Sequence, residues 1–65
     1  MINNLATYRR KAKLTQKEFS EKLEVSTVSI SKWENPNFDL RDLPVKTIEH
    51  ICEVLNISFW DLLKI

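Results

Sequence analysis

The chain contains no glycine, and this absence constrains its fold more than any other feature of the sequence. Two-residue turns between antiparallel strands rely on glycine for their positive φ angles, so β-hairpins are disfavoured. Glycine-rich loops that bind phosphate are disfavoured for the same reason. The 65 residues, of which 43% are hydrophobic, are enough for one small core. The sequence therefore predicts a single all-α domain over residues 1–65.

The segment 15–34 is the most strongly patterned part of the chain, and it predicts two short helices joined by a tight turn. Thr15 and Glu18 have the spacing of a capping box, in which each side chain satisfies a free backbone amide at a helix start. Ser26 is a suitable N-cap for the second helix. Apolar residues at helical spacing supply the buried faces of the two helices: Phe19, Leu23, Ile30 and Trp33.

The exposed face of this second helix holds the candidate contact residues. Helical spacing turns four side chains away from the predicted core: Thr27, Val28, Ser31 and Lys32. Their hydroxyl groups, methyl groups and single cation suit contact with another molecule. A competing interpretation assigns Val28 to the core.

These features resemble the helix-turn-helix of the phage repressor and Cro family, the XRE-type regulators. The apolar and small positions of that motif are filled here by Phe19, Ser20, Leu23, Val25, Ile30 and Trp33. Gln16 at the start, and Glu34 and Asn35 at the end, also match the family pattern. The turn position that is normally glycine is Glu24, so the turn has either a left-handed residue or an altered geometry.

The resemblance covers nearly the whole chain and implies a compact five-helix repressor-like domain with a central helix-turn-helix. We expect the first helix from residue 2 or 3 to Lys13, the fourth with Pro44 in its first turn, and the fifth ending at Ile65. The implied partner is double-stranded DNA, with Thr27, Val28, Ser31 and Lys32 as base contacts in the major groove. The implied phosphate contacts are Arg10, Gln16, Ser29 and Asn35.

The charge distribution is that of a domain with one end on DNA. A net charge of +1 is small for a nucleic-acid binder. However, residues 1–32 carry seven cations and three acids, whereas residues 33–65 carry three cations and six acids. The basic half is the half that contains the helix-turn-helix, as electrostatic attraction to phosphates requires.

Arg9 lies within the apolar stripe of the first helix, four residues after Leu5. A cation in that position either bends to solvent or to a phosphate, or finds an acidic partner. The family resemblance implies a structural ion pair between Arg9 and Glu34.

The last seven residues carry more large apolar side chains than one short helix buries on one face. Trp60, Leu63 and Ile65 are the candidates for a dimer surface, and we expect a homodimer at least on DNA. The alternative function is a protein-interaction module, such as an antitoxin or an anti-repressor. It would bind a regulatory protein partner through the same apolar C-terminal helix.

The sequence offers no recognisable chemistry for catalysis or metal binding. Cys52 lies in an apolar stripe and suits a buried position, and His50 has no second histidine beside it. No apolar run approaches the roughly 20 residues that span a bilayer. We therefore expect a cytoplasmic transcriptional regulator, a repressor, without enzymatic activity, cofactor, metal or membrane partner.

Overall fold

The computed structural model describes residues 3–63 and shows an all-helical fold. Its α-helices are α1 (Leu5–Lys11), α2 (Gln16–Leu23), α3 (Thr27–Trp33), α4 (Val45–Leu55) and α5 (Phe59–Leu63). A short 3-10 helix, Leu40–Asp42, lies between α3 and α4. No strand occurs in the described range, so the all-α, five-helix prediction is confirmed. No helix in this range is long and apolar enough to cross a membrane.

The core takes one fully buried side chain from every α-helix. These are Leu5, Phe19, Ile30, Ile51 and Leu62, in the order of the helices. Burying a side chain of this kind contributes roughly 1.5–3 kcal/mol. Helices as short as these are marginally stable in water on their own, so the five helices depend on packing against one another.

Leu40 and Cys52 are two further buried residues at the edges of this core. Leu40 of the 3-10 helix is 4% exposed and pins the long connection between α3 and α4. Cys52 is also buried, and burial raises the pKa of its thiol. A protonated thiol in an apolar site packs as a small hydrophobic side chain.

The helices α2 and α3 begin at the residues that the sequence predicts. The N–H of Glu18 donates to Thr15 Oγ1 at 3.1 Å, and the N–H of Thr15 donates to Glu18 Oε1 at 2.9 Å. The bond from the Thr15 backbone is the main cause that lowers the pKa of the Glu18 carboxyl. At the start of α3, the N–H of Ser29 donates to Ser26 Oγ at 3.2 Å. Both predicted caps are therefore confirmed.

After three of the helices, a residue other than glycine adopts the left-handed backbone conformation. Lys13, Glu24 and Asn56 have φ angles of 60°, 59° and 56°. For a residue with a Cβ this conformation costs roughly 1–2 kcal/mol, and asparagine tolerates it best. At Glu24 the structure thus has the left-handed turn of a glycine-containing motif, with a glutamate in the glycine position.

The first helix is shorter than the sequence predicts. It spans Leu5–Lys11, whereas the apolar stripe predicted a helix that began two or three residues earlier and continued to Lys13. The left-handed backbone of Lys13 prevents that continuation. Pro44 is also displaced from its predicted place, because it is the N-cap of α4 and precedes the first helical residue.

Replacing Glu24 by glycine should raise the free energy of unfolding by about 1 kcal/mol, because glycine adopts positive φ without a Cβ clash. Glu24→Ala is the matched control, since it removes the carboxylate but keeps the Cβ, and it should give no gain. Urea denaturation of the three proteins measures the difference. A lower midpoint for Glu24→Gly than for the natural sequence would show that the left-handed conformation is not strained.

Candidate nucleic-acid interface

The helices α2 and α3 pack against each other across a tight turn and form a helix-turn-helix. Phe19 and Ile30 belong to the same buried core cluster, and the half-buried Val25 of the turn packs against that cluster. Ser20 is 4% exposed, and its hydroxyl donates to the carbonyl of Lys17 at 2.7 Å. A buried polar group in this position therefore has its partner within its own helix.

The outer face of α3 is exposed along its whole length. The predicted base-contact residues Thr27, Val28, Ser31 and Lys32 all lie on it. Val28 is 76% exposed, so the interpretation that assigns it to the core is wrong. Ile30, on the opposite side, is fully buried and anchors the helix.

A buried ion pair connects α1 to the residue that follows α3. Arg9 Nε donates to Glu34 Oε2 at 2.5 Å, and Arg9 Nη2 donates to Glu34 Oε1 at 3.3 Å. The two side chains are 10% and 8% exposed. Arg9 Nη1 also donates to the carbonyl of Leu14 at 2.8 Å. Arg9 therefore points into the domain, and each of its three guanidinium nitrogens has a hydrogen-bond partner there.

Gln16 joins this network from the first position of α2. Its Nε2 donates to Glu34 Oε1 at 3.1 Å, and its Oε1 accepts from Ser31 Oγ at 3.4 Å. The start of α2 is thereby tied to the end of α3. Because an amide nitrogen carries two hydrogens, Gln16 can hold Glu34 and still donate to a phosphate.

The other predicted phosphate contacts lie at separate places around the motif. Arg10 is exposed on α1. Ser29 is half-buried in the first turn of α3, where its hydroxyl lies 3.2 Å from that of Ser26. Asn35 is exposed, and its Oδ1 accepts from the N–H of Asn37 at 2.9 Å. Local hydrogen bonds therefore orient two of these side chains.

A comparison with protein-family models matches residues 2–64 to a family described as helix-turn-helix domain. The chain belongs to the helix-turn-helix domain family. This family is XRE-like, so the predicted resemblance is confirmed at that level, and with it a DNA-binding regulator. Searches against curated proteins and against solved structures returned no significant match.

Sequence reasoning missed one residue of this helix-turn-helix domain. The amide nitrogen of Asn3 donates to the carbonyl of Trp33 at 2.6 Å, of Asn35 at 3.1 Å and of Phe38 at 3.3 Å. The sequence signal at this position is an asparagine near a helix start, which indicates an N-cap. It carries no information about a partner 30 residues away.

The predicted dimer surface of the helix-turn-helix domain is only partly exposed. Trp60 is 73% exposed, whereas the neighbouring Leu62 is fully buried. Leu63 is half-buried and packs against the core of its own chain. Ile65 lies outside the described residues. Trp60 is therefore the described member of the set with the most apolar surface available to a partner.

An open groove of about 650 Å³ separates α4 from α5. Its lining includes the carboxylates of Glu49, Glu53 and Asp61, together with Phe59, which is 36% exposed. Among the described residues, no group of three His, Cys, Asp or Glu is arranged to hold a metal ion. The groove gives this end of the domain a negative surface, opposite in sign to the basic half of the chain.

Removing one charge of the buried ion pair should destabilise the domain more than removing both. Glu34→Gln leaves the Arg9 guanidinium buried without a counter-charge, and we expect a loss of about 3–5 kcal/mol. In the double variant Arg9→Met/Glu34→Leu, apolar side chains of similar volume fill the same space. Its free energy of unfolding, measured with urea, should lie closer to that of the natural sequence. A double variant less stable than Glu34→Gln contradicts this account.

Proposed function

We propose that this helix-turn-helix domain is a sequence-specific transcriptional repressor of the phage repressor and Cro type. The observation that carries the proposal is the exposed face of α3, where Val28 is 76% exposed while Ile30 anchors the other side. In this arrangement α3 enters the major groove and α2 crosses the DNA backbone. Repression then needs only that the bound domain occupies DNA required for transcription. Because its partner is DNA, we place the protein in the cytoplasm and assign it no enzymatic step.

The side chains on α3 suit the chemistry of base edges. Val28 has no hydrogen-bonding group, so its useful contact in the groove is the methyl group of thymine. Lys32 donates to O6 and N7 of guanine, and the hydroxyls of Thr27 and Ser31 contact either kind of base. These residues carry the choice of sequence in our proposal.

Phosphate contacts set the register of the domain on DNA and contribute most of the non-specific affinity. Arg10 supplies a full charge from α1, and Gln16 supplies an oriented amide at the start of α2. Ser29 and Asn35 add neutral donors near the two ends of α3. The net charge of +1 is small, but the basic residues are concentrated in residues 1–32, the part of the chain that contains most of the helix-turn-helix.

We infer that two copies bind one operator. The seven-residue α3 reads few base pairs, and a symmetric dimer doubles the sequence that is read. In a symmetric dimer the residues close to the two-fold axis lie near their own copies, so like charges at the centre of the interface repel each other. The acidic groove with Glu49, Glu53 and Asp61 is therefore a poor centre for it, and Trp60 is the better candidate.

A protein-interaction module is the second candidate function, because Trp60 is 73% exposed beside an acidic groove. In that case α5 binds a regulatory protein, as an antitoxin or an anti-repressor does. A salt titration with random duplex DNA separates the two functions. A steep loss of affinity with increasing salt indicates that the domain neutralises phosphates. If the domain does not bind DNA even at low salt, the protein-interaction function is favoured.

Substitutions on α3 should change sequence choice, whereas a substitution on α1 should change affinity for all DNA. Val28→Ala or Lys32→Ala should lose about 1–3 kcal/mol on a site obtained by selection from random DNA, and little on random DNA. Arg10→Ala should weaken both alike and reduce the salt slope by about one. Melting curves accompany the binding curves. A destabilised Val28→Ala with unchanged site preference means that another surface reads the DNA.

The selected site should contain two half-sites about 34 Å apart along one face of the duplex. Analytical ultracentrifugation should find two chains per site. Trp60→Ala should weaken cooperative binding to both half-sites and leave binding to one isolated half-site unchanged. Val45→Ala is the control, because Val45 is 62% exposed but lies at the start of α4. One chain per high-affinity site is incompatible with the dimer.

A further inference from the structure

The helix α3 ends differently from the helices around it. Lys13, Glu24 and Asn56, which follow α1, α2 and α4, have left-handed backbones. Glu34, the C-cap of α3, has φ −85° and ψ −6°, and among the described residues none that follows it before α4 is left-handed. The last carbonyls of any helix need hydrogen-bond partners from outside the helix. At the end of α3, backbone N–H groups reach the carbonyls of Ile30 and Lys32, and a side chain near the start of the chain reaches that of Trp33.

That side chain is Asn3, which binds two helices at once. Its Nδ2 lies 2.6 Å from the carbonyl oxygen of Trp33, 3.1 Å from that of Asn35 and 3.3 Å from that of Phe38. Its Oδ1 accepts from the N–H of Leu5 at 3.0 Å, at the start of α1. Both ends of one short, stiff amide are therefore engaged, and the start of α1 is held against the end of α3.

We propose that Asn3 is a positioning residue for DNA reading, because its amide fixes the C-terminal end of α3 and hence the angle of the helix. The inference rests on the proposed function, in which α3 reads the bases. The seven residues of α3 make about two turns. A displacement at Trp33 is therefore transmitted along the whole helix, to Lys32 in the same turn and to Val28 in the first.

Asn3 and the buried ion pair hold α3 in different ways. Arg9 binds the side chain of Glu34, whereas Asn3 binds the main chain on either side of it, at Trp33 and Asn35. The ion pair and Gln16 fix the Glu34 side chain, whereas Asn3 fixes the backbone at the last turn of α3. Together these contacts leave α3 one orientation against the start of α1.

A purely local role for Asn3 is the alternative, in which it serves only as a cap for α1. Asn3→Ser distinguishes the two roles. Serine keeps an oxygen acceptor for the N–H of Leu5 at the start of α1, but its short hydroxyl does not reach the three carbonyls. Asn3→Ala removes both functions. Asn3→Asp keeps the shape and the acceptor but directs a carboxylate oxygen at the carbonyls.

The experiment measures the dissociation constants of the whole chain for a selected site and for a random duplex of equal length. The measurements are made at a temperature at which circular dichroism shows that every variant is folded. Asn3→Ser and Asn3→Ala should each lose about tenfold on the selected site, as expected for the loss of one hydrogen-bonded group. Both should change affinity for random DNA by less than about twofold, with an unchanged salt slope, because Asn3 neutralises no phosphate. Asn3→Asp should lose more than either.

Ile48→Val is the control for stability alone. Ile48 is 4% exposed in α4, so this variant loses a buried methylene in a helix that carries none of the proposed DNA or dimer contacts. It should melt at a lower temperature and keep the natural ratio of selected-site to random-DNA affinity. A fall in that ratio for Ile48→Val would show that any destabilisation has the same effect.

The outcomes separate this inference from the function on which it rests. If the natural chain does not distinguish the selected site from random DNA, the proposed function fails. If the natural chain distinguishes them and Asn3→Ser does so equally well, Asn3 is only a cap for α1, and the positioning role is overturned. If Asn3→Ser matches Asn3→Ala and both lose discrimination, the positioning role stands.

Discussion

The buried ion pair of Arg9 and Glu34 is the interaction on which the geometry of this domain depends. Burial of apolar surface favours compactness but has no preferred direction. With one fully buried side chain per helix, the core alone holds α3 against the domain without fixing its rotation. The guanidinium contacts Glu34 and the carbonyl of Leu14, while Gln16 contacts the same carboxylate. Three directional contacts thereby give a small core a defined arrangement.

The parts of the fold that sequence analysis predicted correctly depend on near neighbours. Thr15 with Glu18, and Ser26 with Ser29, are pairs three residues apart, and their caps follow from spacing alone. The fold class follows from periodicity and from the missing glycine. The early end of α1, at Lys11, was not predictable, because the left-handed conformation of Lys13 has no local sequence signal.

The same distinction applies to the candidate site. Periodicity was enough to find the outward face of α3, since a helix with Ile30 buried must expose Val28. The contact of Asn3 with Trp33 spans 30 residues and depends on the fold as a whole. A count of apolar residues also overstated the exposed surface near the C-terminus. Leu63 packs partly against its own core, which no count of residues reveals.

The separation between the outer and inner faces of α3 has an evolutionary consequence. Val28 and Lys32 are exposed, so a lineage can replace them and acquire a different operator while the fold is inherited unchanged. Ser31 lacks this freedom, because its hydroxyl is bonded to Gln16. We expect relatives with diverging targets to vary first at positions 28 and 32, and to change position 31 together with position 16. Recognition in this domain can therefore diversify faster than its architecture.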